Sequence, residues 1–305
     1  MNIELKNKIG HDIGAIKGYV KLPGGLVHDV YKLEFPGKNL ILKIRGETFS
    51  SKSETKINPT DIEREAWALE ILKGGTVLTP KIVQFYRKHN AILMTDIGTD
   101  GKVLSDFTDE ILADNLNSLI VSFETLEQYC AGINERDSIF NDKQTFERIL
   151  SDRYGFIKSL KLNFLLQEVN TINHEQQFIL GGVSFKNILF TNNEFGFYDF
   201  ETFCLGHRIF DYGYLFGHLL LHSFCNKKVL FQVLKALRAL EMRFNYFKDK
   251  SPLNRMIVAT LLYRIAHPEI KYGKSDLHSF WKPREFLMRN IIEQESISLK
   301  ALELI

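Results

Sequence analysis

Over the first hundred residues, apolar and polar positions follow a strand rhythm. Ile16–Leu22 and His28–Phe35 read as strands, separated by turn chemistry at Pro23-Gly24-Gly25. Pro36-Gly37-Lys38-Asn39 makes a second turn into Leu40–Ile44, a short apolar strand with Lys43 inside it. Gly46–Asn58 is rich in Ser, Thr and Lys and reads as a polar loop. Pro59-Thr60-Asp61 then opens a helix whose apolar face is Ile62, Ala66, Leu69 and Leu72, and Gly74-Gly75 closes it. Lys81–Tyr86 and Ala91–Asp96 are two further strands, with a turn at Lys88-His89-Asn90. After Gly98 the rhythm becomes helical, over Asp109–Tyr129 and Phe146–Val169, with the polar stretch Asn134–Gln144 between them. Phe178–Phe200 interrupts it with a β-rich insert whose turn signal is Asn192-Asn193. From Asp211 onward the pattern is helix after helix. The expected organisation is an α+β chain: residues 1–95 as a small antiparallel β-sheet with one helix, a connector at Met94–Gly101, and residues 96–305 as a mostly helical part.

Composition changes this picture little. Of 305 residues, 45% are hydrophobic and 25% charged, which excludes a disordered or collagen-like chain and leaves material for sizeable cores. Lys and Arg number 39 against 37 Asp and Glu, so no electrostatic case for nucleic acid or an anionic membrane arises. The polar start MNIELKNKIGHDIG carries no signal-peptide pattern, and no apolar run approaches the ~20 residues that span a bilayer. Three scattered cysteines, Cys130, Cys204 and Cys225, do not form a disulfide framework, and a reducing cytoplasm is the expected location.

Several groups carry candidate chemistry. The glycines of Pro23-Gly24-Gly25, followed by His28, suit a backbone that approaches phosphates closely. Lys43 within Leu40–Ile44 is costly to bury without a partner, and the helix that follows offers Glu63 and Glu65. Ala91–Gly98 is a strand ending in a turn. Further on, Leu180-Gly181-Gly182-Val183-Ser184-Phe185-Lys186-Asn187-Ile188-Leu189 is followed by Phe197-Tyr198-Asp199-Phe200-Glu201, Gly206 and Asp211. His218, His222 and Cys225 share a helix face with zinc-ligand types, but the apolar residues around them read as a buried helix. Lys227, Lys228, Lys235, Arg238 and Arg243 read as a solvated helix face.

In this order and spacing, over roughly residues 16 to 220, the sequence resembles the aminoglycoside phosphotransferase and choline kinase family, which has the two-lobed protein-kinase-like fold. The segment Glu63-Arg64-Glu65-Ala66 resembles the family's Arg-Glu-Ala signature and selects Glu65 as the partner of Lys43. The resemblance implies a nucleotide site for ATP or GTP formed by Gly24, Gly25, His28, Lys43, Glu65 and the inter-lobe residues Met94, Thr95 and Asp96. It implies Mg²⁺ at Asn187 and Asp199, and Asp211 as a brace for the loop before Asn187. The family's His-Gly-Asp triplet is here Leu180-Gly181-Gly182, so glycine stands where the catalytic aspartate takes the acceptor's proton. Two function classes follow. One is a phosphotransferase acting on a small hydroxylated molecule. The other is a pseudokinase that binds nucleotide, or only keeps the fold, and works through a protein partner; transfer of a nucleotidyl group is a third route. The C-terminal stretch mixes acids and bases, with no acidic pocket for a polycation. Its aromatics Tyr263, Tyr272, Phe280, Trp281 and Phe286 are candidates for a cation cage or for core.

Overall fold

The computed structural model describes residues 1–22, 28–46, 48–49, 52–56, 61–98, 101–107, 109–134, 143–155, 177–223, 227–244 and 252–265. The chain divides into two units, Met1–Gly101 with Thr191–Phe203, and Lys102–Phe190 with Cys204–Ile305.

The first unit runs α1 (Ile3–Ile13), β1 (Gly18–Leu22), β2 (His28–Phe35), β3 (Lys38–Arg45), β4 (Thr48–Phe49), β5 (Lys52–Lys56), α2 (Ile62–Leu72), β6 (Ile82–Tyr86) and β7 (Ala91–Thr95). Five strands pair antiparallel in the order β1-β2-β3-β7-β6. The register sorts the side chains into two faces. Leu42 lies opposite Tyr31 and Leu93, and Leu40 opposite Leu33. On the other face Ile41 lies opposite Lys32 and Met94, Lys43 opposite Val30 and Ile92, and Arg45 opposite His28.

α1 covers the first of these faces. Asn2 caps it by accepting from the Glu4 N–H at 2.8 Å, and Leu5 and Ile9 bury against Tyr31, Leu33, Phe35, Leu40, Leu42 and Leu93. Each of those two side chains contributes about 1.5–3 kcal/mol by leaving water. The polar N-terminus is therefore a structured helix, which its sequence rhythm had not indicated. A second difference lies between Gly46 and Asn58. There β4 and β5 pair antiparallel in place of the expected loop, so backbone hydrogen bonds give order where no apolar alternation exists. The turn before β7 is a 3₁₀ turn, Arg87–His89, closed by Asn90 in the left-handed conformation.

The second unit contains β8 (Lys102–Val103), α3 (Asp109–Ala131), α4 (Lys143–Tyr154), β9 (Gln177–Ile179), β10 (Ile188–Thr191, its last residue in the first unit), β12 (Cys204–Gly206), α5 (Arg208–Ser223), α6 (Lys227–Phe244) and α7 (Pro252–Ile265). β11 (Glu194–Phe197) belongs to the first unit, where Gly196 bridges Leu78. Asn192 and Asn193 both have positive φ, as the expected two-residue hairpin turn requires. β9 pairs antiparallel with β12, and β10 with β8. α5 is apolar nearly all round and buried along almost its whole length. A Cβ added at Gly217 would sit 2.7 Å from Thr260 Cβ, so glycine is what lets α7 come this close. The buried Glu127 of α3 ties three elements together. It accepts from Gln177 Nε2 at 2.6 Å, Arg208 Nη2 at 2.8 Å and Tyr212 Oη at 3.3 Å. Cys130 and Cys204 are buried, and Cys225 lies outside the described residues. No helix among the described residues is long and apolar enough to cross a membrane.

Candidate functional site

Three segments of the first unit bring a charged cluster together. β3 supplies Lys43 and Arg45, two residues apart and hence on one face. α2 supplies Asp61 at its N-cap position and Glu65 one turn later. The segment after β11 supplies Asp199 and Glu201. α2 holds that segment through Trp67, which meets Phe203 edge-on with ring centroids 5.6 Å apart, and through Arg64 Nη1, which donates to Phe203 O at 3.5 Å.

The cluster has two rungs. Lys43 Nζ lies 2.6 Å from Glu65 Oε2 and 2.5 Å from Asp199 Oδ1. Arg45 Nη2 lies 3.3 Å from Asp61 Oδ2, and its Nη1 lies 2.7 Å from Glu201 Oε2. Each cation thus joins one helix carboxylate to one carboxylate of the 199–201 segment. The arrangement explains why Asp61 makes no side-chain cap to its own helix: its carboxylate is turned to Arg45. His28 stands at the Arg45 rung, with Nε2 3.3 Å from Arg45 Nη1 and 3.6 Å from Glu201 Oε2.

Four carboxylates against two cations make the cluster net acidic. Burial opposes the charge on Lys43, yet Asp199 and Glu65 outweigh it and hold the ammonium protonated. Burial raises Glu65 to about 7 despite Lys43 beside it. Glu201 is raised by burial and by Asp199. For Asp199 burial is the largest single influence and works upward, but Lys43 prevails and the carboxyl titrates below its usual range. Burial, with Lys43 adding to it, pushes His28 down to about 2, so it is a neutral imidazole here. Asp199 also has a left-handed backbone, φ 68°, which is uncommon outside glycine. Among the described residues, His28, Asp199 and Glu201 present ligand atoms within 4.8 Å of one another. The surplus of carboxylate oxygens fits a divalent cation.

The expected inter-lobe residues end β7. Met94 is buried on the sheet face shared with Lys43. Thr95 donates its N–H to Lys81 O and accepts from Lys81 N with Oγ1, both at 2.9 Å. Asp96 accepts from the Gly98 N–H and lies 3.9 Å from Lys32 Nζ. Gly24 and Gly25 lie outside the described residues.

In the second unit the loop after β9 is held by Asp211 at the start of α5. Its two oxygens accept from the N–H groups of Leu180 at 2.6 Å and Gly181 at 3.0 Å, the bracing role that the resemblance implied. Burial raises this carboxyl to about 7 against the pull of those two donors. Gly181 and Gly182 have φ of 74° and 154°. Arg153 of α4 donates through Nη1 to Gly181 O at 2.6 Å. A Cβ built on Gly182 would lie 2.6 Å from Arg153 Nη2 and 2.9 Å from its Cζ. Asn187 ends the 3₁₀ turn Phe185–Asn187, its N–H donating to Ser184 O at 2.8 Å. His218 is buried and accepts from Arg264 Nε at 3.0 Å, as a core histidine does.

The structure therefore brings His28, Lys43, Glu65 and Asp199 into one cluster, and places Asn187 and Gly182 on a separate loop of the second unit. Sequence reading missed Arg45 and Asp61 as members. Their signal was periodicity, two residues beyond Lys43 and four before Glu65. Arg153 had no local signal at all.

No protein-family model and no curated protein sequence matches the chain. Solved structures do. An APH(2")-type aminoglycoside phosphotransferase in complex with GDP and kanamycin is 15% identical with a TM-score of 0.57, covering 99% of each chain. The choline kinase LicA from Streptococcus pneumoniae is 14% identical with a TM-score of 0.54, covering 94% of this chain and 98% of that one. A thermostable mutant of APH(4)-Ia, in ternary complex with ADP and hygromycin B, is 10% identical with a TM-score of 0.54 over 85% and 90% of the two chains. At such identities the likeness is one of fold: this chain has the α+β protein-kinase-like fold shared by aminoglycoside phosphotransferases and choline kinase.

Proposed function

We propose that the chain binds a Mg²⁺-nucleotide, ATP or GTP, and transfers its terminal phosphoryl group to a small molecule. The observation that supports this best is Lys43 held between Glu65 and Asp199, on the sheet face that also carries His28 and Met94. In this reading Lys43 contacts the nucleotide's phosphates, Glu65 keeps the ammonium in place, and Asp199 presents its carboxylate to the metal. Glu201 and His28 stand beside Asp199, and Asn187 is the second metal ligand by resemblance. Bound Mg²⁺ neutralises charge on the phosphates during transfer. By resemblance Met94, Thr95 and Asp96 are assigned to the adenine or guanine ring, and Gly24 and Gly25, which lie outside the described residues, to the phosphates.

A second reading is favoured by one observation. The position expected for the proton-accepting aspartate is Gly182, and the Arg153 guanidinium fills the space that its side chain would enter. General-base help is worth roughly 10²–10⁴ in rate. A pseudokinase working by nucleotide-dependent binding of a protein partner is the alternative.

Calorimetry with ATP and GTP, with and without Mg²⁺, tests the shared premise. Binding weakened by Lys43→Ala and by Asp199→Ala is expected; no binding of either nucleotide would end both nucleotide readings. Labelled nucleotide, incubated with sugars, amino alcohols, aminoglycosides and peptides, then separates transfer from binding alone.

A further inference from the structure

The loop 180–187 presents no carboxylate side chain; its polar side chains are Ser184, Lys186 and Asn187. What faces Gly182 instead is a cation. Arg153 reaches the loop from α4, fixed by its 2.6 Å bond to Gly181 O, with its guanidinium 4.8 Å from the Tyr214 ring centre and 5.7 Å from that of Phe210. Such an anchored plane is suited to fork-like recognition of an oxyanion.

Arg153 is not alone. Arg264 of α7 lies 5.6 Å from the same Tyr214 ring, donates to Tyr214 Oη at 2.7 Å and holds His218 at 3.0 Å. His222 stacks on Phe185 of the loop at 4.5 Å, and Lys186 is the next residue along. Asp211, at the start of α5, spends both oxygens on the N–H groups of Leu180 and Gly181. Gly182, Ser184 and Arg153 all keep part of their surface in solvent, so a small molecule can reach them.

These contacts bear on the acceptor. A hydroxyl acceptor has a proton to lose, and this loop holds no base to take it. An acceptor oxygen that is already ionised needs no base; it needs positive charge to hold it against a negatively charged nucleotide. We propose that the acceptor at loop 180–187 is a small molecule whose attacking oxygen is an anion, a carboxylate or a phosphate monoester, held by the Arg153 guanidinium. This rests on the phosphotransfer reading and names its substrate class. The step balances without proton transfer. A lone pair of the acceptor oxygen forms the new bond to the terminal phosphorus of the nucleotide. The bond from that phosphorus to the bridging oxygen breaks, and its electron pair leaves with the nucleoside diphosphate. A carboxylate gives an acyl phosphate and a phosphate monoester gives a diphosphate.

The test uses the full chain and three probes: succinate, glycerol 3-phosphate, and neutral glycerol. Calorimetry is expected to show one of the two anions binding and glycerol not, which also tells carboxylate from phosphate. In Arg153→Gln that binding should fall by at least about tenfold, the loss of one charge-assisted contact. Arg153→Lys, which keeps the charge, should retain part of it, and ADP binding should be unchanged in both variants. With ATP and Mg²⁺, the bound anion should be phosphorylated. If neither anion binds while nucleotide does, the acceptor class is wrong and the nucleotide site stands. If nucleotide itself fails to bind wild-type protein, the phosphotransfer reading falls first. Phosphorylation of a neutral alcohol at a rate indifferent to Arg153→Gln would also overturn the proposal.

Discussion

Arg45 Nη1 meets Glu201 Oε2 at 2.7 Å one strand period beyond the point where Lys43 Nζ meets Asp199 Oδ1 at 2.5 Å. The two contacts share three backbone segments, so they are coupled energetically as well as geometrically. A double-mutant cycle with Arg45→Met and Glu201→Gln should give a coupling energy of about 1–2 kcal/mol in urea unfolding, toward the middle of the range for contacting residues because Glu201 keeps some exposure to water.

Lys43 and Glu65 are both almost fully buried, so breaking their pair should cost more. Lys43→Met is expected to lower stability by about 3–5 kcal/mol, because it leaves carboxylates buried without their counter-charge. Part of that loss should return as pH falls, because without Lys43 that cation no longer offsets the burial that raises Glu65, and the variant's Glu65 takes up a proton more readily than in wild type. Unfolding curves of wild type and variant at two pH values measure it.

His28 makes a separate pH signature. Its native pKa is about 2 against an ordinary value of 6.5. Between those values the unfolded chain binds a proton that the native state refuses, so stability is complete above about pH 6.5 and falls as pH drops. His28→Gln keeps polarity without titrating. Relative to this variant, wild type should lose about 2 kcal/mol between pH 7.5 and 5, read as a change in the difference between their urea midpoints. A pH-independent difference would show that His28 titrates in the fold as it does in the unfolded chain.

Gly182 sits at φ 154°, where a side chain is strained, and its missing Cβ would press on Arg153. Gly182→Ala should cost about 1–3 kcal/mol. Gly182→Asp carries the same backbone strain but sets a carboxylate against the guanidinium, so it should melt at a higher temperature than Gly182→Ala. Equal melting temperatures would mean that Arg153 swings away from the loop.

Asp211 anchors the same loop with two hydrogen bonds. Asp211→Ala leaves the N–H groups of Leu180 and Gly181 buried without acceptors and should cost about 2–5 kcal/mol. Asp211→Asn keeps one acceptor oxygen and should lose less. Faster amide exchange at Leu180 and Gly181 in the alanine variant would locate the damage.

Much of the first unit was legible because its signals are local. A lysine inside Leu40–Ile44 announces a buried charge and so a partner. Asn192-Asn193 announces a turn that needs two left-handed residues, and both have positive φ. α1 was not legible for the converse reason. Leu5 and Ile9 are too sparse a stripe to mark a helix until the sheet face of Leu33, Leu40 and Leu42 is there to receive them. β4 and β5 have no apolar alternation to read. Arg153 is 29 residues from Gly182 and acts only through tertiary approach, which no spacing rule encodes. The expected glycine contacts at Gly24 and Gly25, the cage aromatics Tyr272, Phe280, Trp281 and Phe286, and much of Phe146–Val169 fall outside the described residues.

The two rungs on β3 also act as a registration key. Side chains on a strand alternate between faces, so a slip of β3 by one residue would turn Lys43 and Arg45 together into the apolar layer of Leu33, Tyr31 and Leu93, and would turn Leu40 and Leu42 out of it. A single buried cation in that layer is already costly; two of them, with four carboxylates stranded across the gap, make the slipped sheet far worse than the native one. The charges gathered on this face thereby also proofread the alignment of the strands that carry them.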